Sequence, residues 1–599
     1  MVDGSEHSGF GENAADTSRR TFLKGATTAL LAAGAVGTSV TSAAAATADG
    51  CRTTTQRIES WDGTELATRL YVPAGGDDGP YPAVLITHGY GSDKESEGGP
   101  PTRMARKYAQ HRYVVLTYDS RGFGESGGEV GVDGPKEVRD ARALLDWLEA
   151  ASGALVGRDP DAQLVARGDD GDIRVGMDGL SYAGGIQINL AAVDDRLDAI
   201  VPRWAWNDLV YSLAPNGGVK LLWTTVLQEF GFQGSRDIEQ PGNGDLVPDE
   251  RDVRSGVDPR LYGFYAEAVT SNELSQTAKA FFRLRSPSTK AEGLAENAPP
   301  SLLVQGWNDT LFTATETVRN HALLSEAADS RMVFIRGGHS LEQQAPLEQA
   351  EIDRMALTWM SRHVGGEPPE NLPEPWSEPP GESGGKADDD ADIRARRFAD
   401  IPEVTYWRGQ DGEFATVDGL PDAEAGPSRT LAAAANASDG TTNLVGGPAP
   451  GSSSEIVFPR NDDYAPGTFA DFDYPVEAET ELLGVPELSL TVTPLGSEPR
   501  VFAKMYHVRE DGSEDLIYNQ VTPYEIEGAV GDPREISFEL AGIERRFGAG
   551  DTLRVSISTT DVAYLNSRTS AGVRIDNEAS VIRLPIRGES GLAKSATHD

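Results

Sequence analysis

Three short segments of the chain carry side chains that together could attack a carbonyl carbon. They are Ser181 in GMDGLSYAGG (176–185), Asp309 in SLLVQGWNDTLF (301–312) and His339 in RMVFIRGGHS (331–340). A serine hydroxyl is a weak nucleophile until an imidazole takes its proton. The imidazole in turn needs a carboxylate that fixes its tautomer and stabilises its charge. The chain order serine, acid, histidine suits a sheet whose successive strand ends gather at one edge, with each residue just beyond a strand. The serine turn departs from the usual G-x-S-x-G, because Ala183 fills the fifth position and Gly184 and Gly185 come one residue late. Alanine fits there if its backbone stays at negative φ, leaving the glycines for close helix packing.

The rival residues are weaker. Of the eight histidines, His321 falls within a helical pattern, and His88 in THGYG precedes the serine, the wrong order for the base. Asp119 and Asp178 also end strands, but neither lies between Ser181 and His339 in sequence. A tetrahedral intermediate needs two donors for its oxyanion. One is expected from the backbone N–H of Tyr182, the other from the loop after AVLITHGYG, through the Tyr90 phenol or a backbone group of that loop. Trp206, Trp307 and Phe312 would suit an apolar or aromatic acyl pocket, and each would equally suit a core. No clustered His or Cys spacing suggests a metal, and this chemistry needs no metal or organic cofactor.

The elements that must position these residues are legible in the hydrophobic pattern. ATRLYVP, AVLITHGYG, YVVLTYDSRG, IRVGMDG, DAIVPRW, SLLVQGW and RMVFIRGG read as strands, and two of the first three are near-continuous apolar runs, as in a sheet buried on both faces. Helical segments at 101–111, 136–150, 181–193, 313–326 and 345–363 alternate with them. The expectation is a doubly wound α/β domain over 49–365. Residues 205–297 interrupt the alternation with an aromatic-rich helical interval, read as a cap over the C-terminal edge of the sheet. Residues 366–394, loaded with Pro, Gly, Ser and acid, read as a linker or strap. From 395 to 589 short alternating segments such as VTYWRG, SEIVFP, ELSLTVTPL and TLRVSIST indicate an all-β sandwich of jelly-roll type, followed by a tail at 590–599.

The chain of 599 residues carries 94 acidic against 53 basic side chains, a net charge of −41, and about ten of the basic residues are lysine. Such a surface repels nucleic acid and anionic membranes, and it suits a solvent whose salt screens self-repulsion. Ser18-Arg19-Arg20-Thr21-Phe22-Leu23-Lys24 followed by a small apolar run to Ala46 reads as a twin-arginine signal over 1–48, with the twin-arginine translocase as partner during export to the surface or exterior. Cys51, the single cysteine, excludes an intrachain disulfide, and Asp49 and Gly50 before it make a poor lipidation site.

Taken together, G-L-S-Y-A-G, Q-G-W-N-D-T-L-F, G-G-H-S, T-H-G-Y-G and Y-D-S-R-G-F-G-E-S-G-G resemble the Xaa-Pro dipeptidyl-peptidase and cocaine-esterase family of serine hydrolases. The resemblance covers nearly the whole chain after the signal. It implies an α/β-hydrolase with an inserted helical cap and a C-terminal jelly roll. It also implies an oxyanion hole made by a tyrosine phenol and the N–H after the serine, which fall on Tyr90 and Tyr182. Members act on X-Pro peptides, carboxylic esters, or α-amino acid esters and β-lactam amides. The last branch carries carboxylates two and three residues after the triad acid, where this chain has Leu311 and Phe312. The expectation is therefore an exported serine hydrolase acting on a small ester or an N-terminal peptide bond. A strict Xaa-Pro dipeptidyl-peptidase is the rival within the class. A degenerate, carbohydrate-binding surface protein is the rival outside it, opposed by the complete and ordered triad.

Overall fold

A computed structural model describes residues 51–74, 79–95, 99–156, 159–234, 255–339, 346–365, 401–431, 440–446, 465, 467–569 and 571–593. The proposed signal and linker, and the SEIVFP segment, lie outside the described residues.

The apolar runs form the strands of one mixed sheet. In chain order these are β1 (Cys51–Glu59), β2 (Glu65–Pro73), β3 (Ala83–Ile86), β4 (Val114–Tyr118), β5 (Val175–Leu180), β6 (Leu197–Arg203), β7 (Ser301–Gly306), β8 (Ser330–Ile335), β9 (Val404–Arg408) and β10 (Glu413–Val417). Their order across the sheet is β1-β2-β4-β3-β5-β6-β7-β8-β9-β10. The pairings from β4 and β3 through to β8 and β9 are parallel, and the two outer edges are antiparallel. Every residue of β3, β4 and β7 is buried, as strands covered by helices on both faces require. The covering helices are α1 (Pro100–Gln110), α2 (Pro135–Ala150), α3 (Tyr182–Ala191), α9 (Ala314–Leu324) and α10 (Pro346–His363). All ten residues of α3 are buried; most are apolar, and the two amides, Gln187 and Asn189, are met by buried backbone groups.

Between β6 and β7 the chain builds the expected cap from α4 (Leu209–Leu213), α5 (Leu221–Gly234), α6 (Pro259–Ser271), α7 (Gln276–Arg283) and α8 (Ala291–Asn297). Asp258 and Ser275 accept hydrogen bonds from the first-turn N–H groups of α6 and α7, fixing where those helices start.

Among the described residues from 401 onward the regular elements are all β strands. One sheet orders Ser428–Thr430, Val573–Arg583, Glu487–Pro494 and Arg534–Glu539, with Thr441–Leu444 also on Val573–Arg583. A second orders Phe469–Pro475, Thr552–Ser558, Arg500–Val508 and Glu514–Glu525. Their inner faces share a core that includes Phe472, Leu490, Val555 and Ile575.

One strand joins a different sheet from the one its pattern suggests. VTYWRG, read as the first strand of the sandwich, is β9 of the hydrolase sheet. Val404, Thr405 and Tyr406 pair in parallel with Met332, Val333 and Phe334, and Val404 and Tyr406 are buried in that core. Alternation identifies a strand but not the sheet it joins, so β9 and β10 were indistinguishable by pattern from the strands after them. Cys51 begins β1, opposite Pro73, and is buried there; burial pushes its thiol above the usual range.

Candidate active site

Ser181 stands between β5 and α3 at φ 59° and ψ −115°, a conformation that an L residue adopts only under restraint. Its N–H donates to Arg203 O at 2.7 Å. The Arg203 guanidinium is held in turn by Asp178 at 2.6 and 2.7 Å and by Asp353 at 3.1 Å, so the turn rests on a buried ionic network. Ala183 lies in α3 and is absent from the positive-φ residues, as its side chain requires. The late glycines have a steric purpose. A Cβ on Gly184 would come within 2.7 Å of Arg203 O, and one on Gly185 would overlap the Trp206 ring.

The structure brings the three sequence candidates together. His339 Nδ1 lies 2.7 Å from Asp309 Oδ2, and His339 Nε2 lies 2.7 Å from Ser181 Oγ. With Nδ1–H donating to the carboxylate, Nε2 is left to accept the serine proton. Asp309 is fully buried, and five donors surround its two oxygens. Oδ1 accepts from Leu311 N at 3.0 Å and Phe312 N at 2.9 Å. Oδ2 accepts from His339 N at 3.1 Å and Gln305 Nε2 at 3.2 Å besides the imidazole. The approach of the histidine turn depends on Gly338 (φ 101°), where a Cβ would sit 2.6 Å from Asp309 Oδ2.

The backbone N–H of Tyr182 opens α3, where the first turn of a helix leaves donors free and the helix dipole is positive. Its side chain is occupied elsewhere, the hydroxyl accepting from Asp133 N at 3.1 Å. The Tyr90 ring packs 5.4 Å from the Tyr182 ring and 5.2 Å from Phe123. Burial, reinforced by Tyr262 and Glu137, pushes the Tyr90 phenol well above its usual range. Among the described residues its hydroxyl has no protein hydrogen bond, and it lines the cavity that holds Ser181.

That cavity measures about 820 Å³, its mouth included. Leu209 and Leu213 of α4, Leu227 of α5, Phe264 of α6 and Phe282 of α7 supply its cap wall. Trp206, Leu311 and Phe312 complete the floor beside Ser181. Phe312 also meets the His339 ring edge-on at 4.9 Å. The described lining contains no carboxylate. Trp307 lies elsewhere. It stacks on Phe334 at 4.3 Å and faces Tyr518, within the core below the sheet end, so it does not join Trp206 and Phe312 at the cavity.

The rival residues have structural partners. His88 Nε2 accepts from Ser120 N, and Asp119 binds Lys94 through its backbone N–H at 2.6 Å and its ammonium at 3.0 Å. His321 lies against Ser330. Sequence reasoning missed Gln305, whose signal was a lone amide in the apolar strand SLLVQG. It also missed the cap residues of the cavity, because a helical pattern does not say which face looks inward.

Residues 62–341 match the sequence profile of the X-Pro dipeptidyl-peptidase (S15 family), and residues 396–584 match the X-Pro dipeptidyl-peptidase C-terminal non-catalytic domain. Cocaine esterase of Rhodococcus sp. is 25% identical over 342 residues, which is 51% of this chain and 54% of that protein. The chain thus aligns with about half of that relative's length. An α-amino acid ester hydrolase has the same fold, with a TM-score of 0.63 at 15% identity over 92% of this chain and 98% of that one. An aminopeptidase from a marine-sediment Thaumarchaeota archaeon gives a TM-score of 0.63 at 14% identity over the same shares. With both profiles matched in sequence order along the chain, it belongs to the S15 and cocaine-esterase family and is a hydrolase.

Proposed function

We propose that the protein is an exported serine esterase, working in high salt, that hydrolyses carboxylic esters with a neutral apolar acyl group. The observation that carries the substrate class is the cavity beside Ser181, apolar and without a carboxylate among its described lining. An N-terminal ammonium, which a dipeptide or α-amino acid ester brings, would find no counter-charge there, and burying it unpaired costs several kcal/mol. Leu311 and Phe312 occupy the positions where the α-amino acid ester branch places its acids.

In this reading Ser181 Oγ attacks the ester carbonyl as its proton passes to His339 Nε2. Asp309 holds the imidazole in orientation and stabilises the imidazolium. The oxyanion is met by the Tyr182 N–H and the Tyr90 hydroxyl, which burial keeps protonated as a donor. Collapse expels the alcohol, which takes the proton from His339, and water then cleaves the acyl-enzyme by the reverse sequence. Export rests on the twin-arginine signal, and the saline setting on the charge of −41.

The decisive assay compares p-nitrophenyl butyrate with Gly-Pro-p-nitroanilide in molar salt. The ester is expected to be preferred in kcat/KM by at least about 100-fold, since a site lacking the amine's partner rejects it strongly. Preference for the anilide would establish the dipeptidyl-peptidase reading instead. Ser181→Ala is expected to lose at least about a thousandfold in kcat while folding normally, and to lose labelling by a fluorophosphonate probe.

A further inference from the structure

The backbone of the acid loop, Trp307–Phe312, is held almost carbonyl by carbonyl by side chains from outside it. Lys220 Nζ donates to Thr310 O and to Leu311 O, each at 2.8 Å. Gln520 Nε2 donates to Trp307 O at 2.9 Å and to Asp309 O at 3.0 Å. Gln305 Nε2 takes Phe312 O at 2.6 Å, and Trp223 Nε1 donates to Thr310 Oγ1 at 3.0 Å. Lys220 belongs to the cap, one residue before α5. Gln520 belongs to the sandwich strand Glu514–Glu525.

The two Lys220 contacts have a specific counterpart on their far side. The Thr310 carbonyl and the Leu311 N–H are opposite ends of one peptide group. The Leu311 carbonyl and the Phe312 N–H are opposite ends of the next. Those same two N–H groups are the donors to Asp309 Oδ1, at 3.0 and 2.9 Å. A cation at the oxygen ends polarises both peptides and strengthens both N–H donors, and within a low-dielectric interior such chains reinforce one another. Lys220 is buried, and burial lowers its ammonium to about 8, opposed by the nearby carboxylates of Glu316 on α9 and Asp309.

Gln520 is aimed by backbone strain. Tyr518 and Asn519 just before it have φ of 52° and 57°, and the pairing with the neighbouring strand slips between Lys504 and Tyr506. A bulge with two successive left-handed non-glycine residues costs free energy that a regular strand would not. Here it turns the amide out of the sandwich and into the hydrolase domain.

We propose that Lys220 is a positioning residue for the triad acid, acting on the Asp309 carboxylate through the peptide groups 310–311 and 311–312, with Gln520 fixing the other half of the loop from the sandwich. The proposal rests on the reading of Asp309 as the triad acid. Cap and sandwich are then parts of the proton-transfer apparatus rather than walls around it.

The test uses the full-length protein in molar salt, with active sites counted by fluorophosphonate titration and p-nitrophenyl butyrate as substrate. Lys220→Met removes charge and donors; Lys220→Gln keeps donors without charge; Gln520→Leu removes the sandwich contact. Lys220→Met is expected to lower kcat per titrated site by about 10- to 100-fold, the range found when a group orienting a functional ligand is removed. KM should change less than about threefold. The acid limb of kcat/KM should move to higher pH, because a cation that opposed the imidazolium of His339 is gone. Lys220→Gln should fall between wild type and Lys220→Met, and Gln520→Leu should lower kcat without shifting the acid limb. Normal kcat per titrated site with an unmoved pH profile in both Lys220 variants would overturn the proposal, even if less folded protein were recovered. Asp309→Asn separates the two readings. If that variant keeps wild-type kcat, the triad assignment itself fails. If it is crippled while the Lys220 variants are not, only the present inference fails.

Discussion

Tyr90 and Tyr182 lie with ring centroids 5.4 Å apart beside the same serine, and they are expected to respond oppositely to loss of a hydroxyl. The Tyr90 hydroxyl has no protein partner among the described residues and lines the cavity beside Ser181. Tyr90→Phe is therefore expected to strand no buried group and leave the fold intact, while removing one of the two proposed donors to the oxyanion. In a water-excluded site such a donor contributes about 10²–10³ in kcat, or roughly 2.7–4 kcal/mol of transition-state stabilisation. Tyr182 is the control. Its hydroxyl accepts a 3.1 Å bond from Asp133 N, so Tyr182→Phe leaves a buried N–H unpaired at a cost of about 1–3 kcal/mol in stability. Its own N–H, the proposed oxyanion donor, is untouched by the substitution. Saturation kinetics on p-nitrophenyl butyrate, paired with urea denaturation in constant salt, read both quantities. Tyr90→Phe should lose kcat with unchanged stability, and Tyr182→Phe should lose stability with kcat within a few-fold. A Tyr90→Phe variant that keeps kcat within about threefold would refute the phenol as oxyanion donor and return that role to a backbone group of its loop.

Gly185→Ala places a methyl group inside the Trp206 ring, so the helix after the nucleophile must shift; a loss of about 1–3 kcal/mol or more is expected in urea denaturation, with activity falling alongside it. Glu544 is buried, and burial raises its carboxyl to about 7, against the hydrogen bond from Tyr518 that favours the charged form. In the unfolded chain a glutamate ionises near pH 4.3, so the unfolded state releases this proton first and stability falls as pH rises to 7. Glu544→Gln, which stays neutral, should gain on the wild type progressively from about pH 4.5 to 7 and hold a constant advantage above it, up to about 3 kcal/mol; an equal difference at pH 5 and pH 8 would exclude this. Dilution from molar salt to about 0.1 M lengthens the screening distance from about 3 to 10 Å, so a chain of net charge −41 should lose melting temperature, and an unchanged value would remove the argument for a saline habitat.

What could be read from the sequence was whatever one strand and its following turn determine together. Ser181, Asp309 and His339 each close an apolar run, and the shared sheet brings those three ends to one place. The same logic failed for Trp307. Trp206 and Trp307 both follow strands, but Trp206 turns toward the cap while Trp307 lies flat on Phe334 of the neighbouring strand, and which neighbour a ring meets is a property of the sheet order. It failed again for β9, whose pattern carries no mark of the sheet it joins. Lys220 and Gln520 are further out of reach, since their contacts with the acid loop span 90 and 91 residues in one case and 211 and 213 in the other. A local signal for the lysine nevertheless existed. In a chain that keeps about ten lysines against 94 acidic residues, one stands in the run GGVKLLWTTV, with valine before it and two leucines and a tryptophan after it. A cation in such a run must either reach solvent or be met by oxygens inside. Here no acid accompanies it in the segment, so the oxygens had to come from elsewhere, and a loop that turns its N–H groups toward a buried carboxylate necessarily turns carbonyls the other way. The need of Asp309 for N–H donors and the need of Lys220 for carbonyls are met by the same two peptide groups. That shared requirement couples the cap entrance to the acid loop and, through Asp309, to the carboxylate that holds His339.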